Sequence, residues 1–266
     1  MPTFRANGKR LYYEVAGEGE PLFLISGFAC DHLIWGKVAP RLSSRYRVVS
    51  FDHRGVGESS SVDGPFSIKE MAEEAALLME EIGAKHAHVA GHSMGGMIAQ
   101  ELALAHPDRV RSLLLLASLA QCDQRGKALI ESFGDLPRLV DPPTSARLIM
   151  PWLYTDAFYS KPGAVQELVK WLIECPNPPT PEAMFYQSRA ISACDTSGRL
   201  RAIHCPTLVL AGKEDILLPV KLSEQLAQGI PGAEFVLLEE TGHGMLIETP
   251  DSVALAMLDF LLKKFD

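Results

Sequence analysis

The sequence predicts an α/β protein with one mostly parallel central sheet, flanking helices and one helical insertion. Short apolar runs alternate with helical periodicity through residues 1–118, and the same alternation returns after residue 205. Strict alternation of strands and helices is typical of a parallel sheet with helices on both faces. Residues 119–204 show no convincing strand and contain clustered prolines and many aromatic side chains. We therefore predict a sheet domain that is interrupted once.

A turn signal and an apolar run mark the first strands. Residues 3–6 and 10–15 flank Asn7-Gly8, a dipeptide that strongly favours a β-hairpin turn. Residues 22–25 are apolar without interruption, as expected of a central strand buried on both faces. A helix is predicted over residues 32–42, and the next strand over residues 47–51.

The following helix has clear boundary signals. Ser67 and Glu70 have the spacing of a capping box, which satisfies amide donors at a helix N-terminus. Apolar residues then recur on one face until Gly83, a residue type that commonly ends helices. The sequence therefore predicts a helix that packs against the sheet between these signals.

A sharp turn is predicted around Ser93. The β-prone residues 86–90 lead directly into G-x-S-x-G, and apolar residues recur at helical spacing after it. A strand that turns directly into a helix forces its central residue into a strained conformation, and flanking glycines avoid Cβ clashes there. This geometry exposes the hydroxyl of the central serine beside the first amides of the helix. Ser93 is therefore our candidate nucleophile.

The rest of the chain returns to the α/β pattern after the insertion. Strands are predicted over residues 110–117, 207–211 and 234–238, and helices over residues 219–228 and 250–264. We expect residues 1–118 and 205–266 to form the core. We expect residues 119–204, inserted after the sixth strand, to form a helical cap (lid) over the active site. Its clearest helical face contains Val165, Leu168, Val169, Leu172 and Ile173.

Composition narrows the functional class and the compartment. The formal net charge of −8 argues against a nucleic-acid partner and against a basic membrane-binding surface. No apolar run approaches the ~20 residues that span a bilayer, and the N-terminus lacks an apolar signal sequence. The five cysteines are scattered, which favours free thiols over disulfides or a zinc site. We expect a cytoplasmic protein, monomeric or homodimeric, without a metal or cofactor.

Ser93 requires a base, because a serine hydroxyl is scarcely ionised at neutral pH. His243 is the best candidate, since it follows a predicted strand and lies between two glycines. His92 adjoins Ser93 and therefore points the wrong way. The other histidines lie beside turns or helix ends, alternate on a strand or precede Ser93 in a separate loop.

The base requires an acid, and the transition state requires amide donors. Asp215 follows a strand at the sheet edge where α/β proteins place catalytic groups. Its neighbour Glu214 and the more distant Asp123 are rival acids. The amides of Met94 and Phe28 are our candidates for the oxyanion hole.

Five motifs in order resemble the α/β-hydrolase superfamily. They are Ser26-Gly27-Phe28, Asp52 to Ser59, Gly91 to Gly96, Gly212 to Asp215 with Pro219, and Gly242-His243. Within the superfamily the chain is most similar to small capped esterases and lactonases, including 3-oxoadipate enol-lactonases. Many relatives carry His-Gly where this chain has Ser26-Gly27. The resemblance implies that Asp52 and Arg54 fix a loop and are not catalytic.

The resemblance and the predicted triad imply a serine hydrolase that cleaves a small-molecule ester or lactone through an acyl-enzyme. Cleavage of C–C bonds, perhydrolysis and acyl transfer use the same triad, and a slow ligand sensor is a further alternative. Dehalogenation and epoxide hydrolysis would need a carboxylate at position 93. We expect Phe28, Trp152 and Met245 to contact the substrate. Arg147 and Arg189 could bind a substrate carboxylate, although solvated helix positions are the favoured interpretation.

Overall fold

The apolar runs form the strands of one sheet in the computed structural model, which describes residues 2–265. The eight strands of this sheet, within those residues, are β1 (Thr3–Ala6), β2 (Lys9–Ala16), β3 (Pro21–Ile25), β4 (Arg47–Phe51), β5 (Ala87–His92), β6 (Val110–Leu116), β7 (Thr207–Gly212) and β8 (Glu234–Leu238). Their order is β1-β2-β4-β3-β5-β6-β7-β8. β1 and β2 pair antiparallel, β2 pairs antiparallel with β4, and the remaining pairs are parallel. The predicted mostly parallel sheet is confirmed.

Both faces of the sheet are buried, and β3 shows why its sequence is continuously apolar. Leu22 and Leu24 pack into one buried cluster together with Trp35. Phe23 and Ile25 point the other way into the second cluster. Successive side chains on a strand alternate between faces, so a strand covered on both sides needs apolar residues at every position. Because the strands are parallel, their carboxyl ends lie together at one edge of the sheet, outside the two buried clusters.

The helices supply the two covering layers. They are α1 (Ala39–Leu42), α2 (Ile68–Glu81), α3 (Met94–Ala105), α4 (Gln124–Asp135), α5 (Pro142–Ile149), α6 (Asp156–Tyr159), α7 (Ala164–Ile173), α8 (Pro181–Ala193), α9 (Val220–Gly229), α10 (Met245–Glu248) and α11 (Pro250–Phe265). Helices α2, α3 and α9 contribute buried residues to one cluster, and α1, α10 and α11 contribute to the other. None of the helices in residues 2–265 is long and apolar enough to cross a membrane.

The predicted continuous helix over residues 32–42 is wrong. The chain forms a 3-10 turn at His32–Trp35 and then the short helix α1, which has Pro40 in its first turn. Proline lacks an amide donor, and its ring clashes with the carbonyl four residues earlier in a continuing helix. A new helix can start at Pro40, but an existing one cannot pass through it.

The insertion (residues 119–204) lies between β6 and β7 and consists of helices α4 to α8 with short 3-10 turns. Helix α4 packs against α8, and α8 contributes Ala190 and Ile191 to the larger buried cluster of the sheet. The predicted apolar face of α7 is narrower than expected, because Leu168 is buried whereas Leu172 and Ile173 are largely exposed. The division of the chain into a core and a cap stays a prediction.

Close backbone packing surrounds the turn between β5 and α3. A Cβ on Gly91 would overlap the carbonyl oxygen of Gly95, and a Cβ on Gly95 would overlap that of Ile25. Ser93 between them has φ 55° and ψ −117°, which is uncommon for a residue with a side chain. The two glycines therefore allow helix α3 to start directly at the end of β5 and against β3.

Replacement of Gly95 by alanine should destabilise the protein because the added methyl group meets backbone atoms that cannot rotate away. We expect Gly95→Ala to lower the free energy of unfolding by about 1–3 kcal/mol. Gly198→Ala is the matched control, since a Cβ there meets nothing within 4 Å, and a change within about 0.5 kcal/mol is expected. Urea denaturation measures both, and equal effects would contradict the packing argument.

Candidate active site

Ser93 lies at the carboxyl edge of the sheet, where its backbone is held from several sides. Its N–H donates to the Leu116 carbonyl at 2.8 Å, and its own carbonyl accepts from the Ser118 hydroxyl at 2.9 Å. The Gly96 N–H donates to the same carbonyl at 2.9 Å. With its backbone fixed, Ser93 can adopt the strained φ and hold its hydroxyl at one position above the sheet edge.

A hydrogen-bonded chain joins Ser93, His243 and Asp215. His243 Nε2 lies 3.0 Å from Ser93 Oγ, and His243 Nδ1 lies 2.8 Å from Asp215 Oδ2. A carboxylate only accepts hydrogen bonds, so the proton of a neutral His243 belongs on Nδ1. Nε2 is then free to accept the proton of the Ser93 hydroxyl. Both His243 and Asp215 are buried, at 4% and 5% exposure.

The structure brings Asp215, and neither rival acid, to the histidine. Asp215 follows β7, and its second oxygen accepts from the Leu218 N–H at 2.7 Å. Glu214 is exposed to solvent. Asp123 instead caps helix α4 by accepting from the Gly126 N–H at 2.7 Å.

His92 contacts the loop that carries His243, but it is not the histidine that contacts the Ser93 hydroxyl. Its Nε2 lies 2.9 Å from the His243 carbonyl oxygen, which fixes this nitrogen as the donor. Burial lowers the pKa of His92 to about 3, so the imidazole is neutral at physiological pH. His92 therefore links the turn at Ser93 to the loop that carries His243.

The loop after β3 passes directly beside Ser93. A Cβ on Gly27 would lie 3.3 Å from Ser93 Cβ, so only glycine fits there without displacing atoms. Among the described residues the Phe28 N–H has no hydrogen-bond acceptor. Met94 opens helix α3, and the first amides of a helix have no partner within the helix. These positions are compatible with the predicted donor roles of Phe28 and Met94, which stay predictions.

Three contacts fix the shape of this loop. The Ser26 hydroxyl donates to the Asp31 carbonyl at 3.0 Å, and His53 Nε2 donates to the Ser26 carbonyl at 3.0 Å. The Ala29 N–H donates to Gln187 Oε1, on helix α8 of the insertion, at 2.8 Å. Ala29 has φ 58°, so the hydrogen bond holds a residue in an unfavourable conformation.

The loop after β4 has the structural role expected of it. Asp52 is fully buried and accepts from the His32 N–H at 2.8 Å and from the Glu58 N–H at 2.9 Å. Arg54 pairs with the buried carboxylate of Glu74. The partners of these side chains are therefore loop amides and a helix carboxylate.

A cavity of about 50 Å³ lies beside Ser93, and its lining is mainly apolar. Its lining residues are Ser93, Met94, Met97, Leu119, Cys122, Asp123, Arg125, Gly126, Leu129, Ile130, Ile191, Leu217, Leu218, Pro219, Lys221 and Leu222. The insertion and the loop after β7 contribute most of these side chains. Sequence reasoning did not single out the two cations at this cavity, Arg125 and Lys221.

The predicted substrate contacts fit this cavity poorly. Met245 is fully buried in the cluster that contains Leu22 and Trp35, because helix α10 turns its side chain into the core, and it does not line this cavity. Its contact with the substrate stays a prediction. Trp152 and Phe28 are half-buried and lie outside the lining of the cavity.

Neither of the two arginines considered for a substrate carboxylate lines this cavity. Arg189 pairs with Asp135 at 2.9 Å and stacks on the Phe185 ring at 4.5 Å from its centroid. Arg147 is exposed on helix α5. Within residues 2–265, no three histidine, cysteine, aspartate or glutamate side chains form a group that could hold a metal ion.

Comparison with known proteins assigns the chain to a protein family. The family profile described as "alpha/beta hydrolase fold" matches residues 20–250. The chain is 34% identical over 260 residues to the "Putative carbamate hydrolase RutD" of Azorhizobium caulinodans, and the alignment covers 98% of each protein.

Solved structures with similar folds include a lactonase and an esterase. The enol-lactonase from Burkholderia xenovorans superposes with a TM-score of 0.89 at 26% identity, covering 98% of this chain and 100% of the lactonase. A thermophilic esterase from Thermogutta terrifontis superposes with a TM-score of 0.87 at 29% identity, covering 98% and 96%.

Proposed function

The chain belongs to the alpha/beta hydrolase fold family and is a hydrolase, and we propose that it cleaves a carboxylic ester or lactone through an acyl-enzyme. The observation that carries this proposal is the hydrogen-bonded chain from Ser93 Oγ through His243 to Asp215. A serine, a neutral imidazole and a buried carboxylate in this order are the parts that acyl transfer requires.

In the first half of the reaction, Ser93 Oγ attacks the carbonyl carbon while His243 Nε2 takes the hydroxyl proton. Asp215 stabilises the imidazolium that forms. The amides of Phe28 and Met94 donate to the oxyanion of the tetrahedral intermediate, where removal of one donor typically costs about 10²–10³ in kcat. The carbon–oxygen bond to the leaving group then breaks, and His243 returns its proton to the leaving oxygen.

In the second half, water replaces the leaving group. His243 takes a proton from this water, whose oxygen attacks the acyl carbon of the ester on Ser93. The bond to Ser93 Oγ breaks, and the imidazolium gives the proton back to Oγ. An ester therefore yields an acid and an alcohol, whereas a lactone yields one hydroxy acid.

The cavity favours a small acyl group. Its volume of about 50 Å³ is far below the ~300–1,000 Å³ of drug-sized pockets. A second candidate, hydrolysis of a small carbamate, is favoured by the name and 34% identity of the Azorhizobium relative. The attack of Ser93 on a carbamate carbonyl would need the same groups.

Replacement of Ser93 by alanine should abolish the hydrolysis of 4-nitrophenyl acetate, butyrate and carbamate and of γ-butyrolactone. Loss of a triad nucleophile costs on the order of 10⁶ in kcat, provided that the variant is folded by circular dichroism. A variant that keeps most of its activity would refute the nucleophile assignment. Stoichiometric release by the wild type without turnover would support a sensor instead. Preference for the carbamate in kcat/KM would favour the second candidate.

Replacement of Asp215 by asparagine should impair turnover of 4-nitrophenyl butyrate severely. An amide in this position favours the wrong histidine tautomer, and kcat should fall by about 10⁴. The matched control is Glu214→Gln, which removes the adjacent exposed charge and should leave kcat near that of the wild type. Severe loss in Glu214→Gln, together with a nearly normal Asp215→Asn variant, would move the acid to Glu214.

A further inference from the structure

The insertion is bonded to the loop of His243 through one carboxylate. Glu248, in helix α10 just after that loop, accepts from the Gly242 N–H at 2.9 Å through Oε2. Its other oxygen, Oε1, accepts from the Thr155 N–H at 2.9 Å and also from the Thr155 hydroxyl. Glu248 thus bridges the residue before His243 and the N-cap of helix α6 in the insertion.

The residue after His243 is bonded to the same segment. The Gly244 N–H donates to the Leu153 carbonyl at 2.7 Å. A Cβ on Gly244 would overlap the ring of Tyr154, so the loop packs closely against the insertion. Gly244 is therefore held by Leu153 directly, and Gly242 is linked to Thr155 through Glu248.

The loop after β3 is held by another part of the insertion. Gln187 on helix α8 is fully buried, and its Oε1 accepts from the Ala29 N–H. The backbone N–H requires an oxygen, which fixes the orientation of the amide. Nε2 then has no partner among the described residues. The single contact of the side-chain oxygen thus restrains the residue after Phe28.

We infer that the insertion positions the catalytic loops in addition to enclosing the substrate, with Glu248 and Gln187 as positioning residues. This inference rests on the proposed function. Glu248 and Thr155 hold the loop of His243, and Gln187 holds the loop of Phe28. A misplacement of about 1 Å in a catalytic group can cost about 10²-fold in rate. Loss of the Glu248 contacts or of the Gln187 contact therefore lowers kcat, while the affinity for a small substrate changes little.

The contacts of Glu248 with Gly242 and Thr155 can be disrupted by a substitution that keeps the volume of the side chain. A glutamine at position 248 has one acceptor oxygen, so it can satisfy Gly242 or Thr155 but not both. We expect Glu248→Gln and Thr155→Val to lower kcat for 4-nitrophenyl butyrate at least tenfold with KM within about threefold. Thr155→Ser keeps the hydroxyl and should retain wild-type kcat. The control for the lost charge is Glu167→Gln, at an exposed position of α7 where the side chain makes no hydrogen bond or ion pair within residues 2–265.

A pair of variants tests the hydrogen bond between Gln187 and the Ala29 N–H. Gln187→Met removes the acceptor of the Ala29 N–H and should lower kcat at least tenfold. Gln187→Glu keeps a side-chain oxygen for Ala29. Burial at this position favours the neutral acid, whose hydroxyl takes the place of an amide nitrogen that has no partner among the described residues. It should therefore retain most of the kcat that the methionine variant loses.

Two readouts separate positioning from a general loss of structure. The melting temperature reports stability, and the rate of Ser93 labelling by a fluorophosphonate reports assembly of the site without substrate binding. We expect slower labelling in Glu248→Gln, Thr155→Val and Gln187→Met at temperatures where each variant is folded. Unchanged kcat and labelling in these folded variants, with Ser93→Ala inactive, would overturn the inference and leave the proposed function intact. If wild type and Ser93→Ala hydrolyse the ester equally, the proposed function itself fails.

Discussion

The turn from β5 into α3 is the constraint on which the site depends. Ser93 can face the sheet edge only because Gly91 and Gly95 lack a Cβ, which would lie 2.2 Å and 2.1 Å from neighbouring carbonyl oxygens. The serine then occupies a left-handed conformation that would cost of order 1–3 kcal/mol in isolation. It is held there by the hydrogen bond that its N–H donates to the Leu116 carbonyl, by the one that its carbonyl accepts from the Ser118 hydroxyl, and by the buried packing of β5. The strained backbone conformation thus lies at Ser93, the residue whose hydroxyl must face the sheet edge.

Around this turn, the remaining groups are supplied by loops at the ends of neighbouring strands. β3, β5 and β7 lie close together in the sheet, and parallel pairing brings their carboxyl ends to one edge. The loops after β3, β7 and β8 carry Phe28, Asp215 and His243 to that edge. Loops alone are mobile, and a rigid scaffold must position them. Here the strands of the sheet fix the start of each loop, and contacts from the insertion restrain the loops further.

Much of this organisation could be predicted from the sequence, because its signals are local. The apolar residues of β3, the Asn7-Gly8 turn and the glycines around Ser93 each reflect a backbone requirement at that position. The proximity of Asp215 to His243 was predictable because both follow strands that end at the same edge. The break at Pro40 follows from proline geometry and could have been anticipated.

Contacts between the insertion and the core could not be predicted in this way. Glu248 meets Thr155 across 93 residues of sequence, and Gln187 meets Ala29 across 158, with no periodic pattern to set either register. Met245 was expected to contact the substrate, yet helix α10 turns it into the core. Which face of a short helix is buried depends on packing that local patterns do not encode.

The acyl-enzyme on Ser93 is the central claim, and intact-protein mass spectrometry tests it most directly. Wild-type protein mixed with 4-nitrophenyl butyrate and quenched in acid within the first turnovers should gain the mass of one butyryl group. Peptide mapping should place this group on Ser93, and the adduct should be absent from Ser93→Ala. An adduct that maps to another residue, or an adduct of equal yield in Ser93→Ala, would contradict the account.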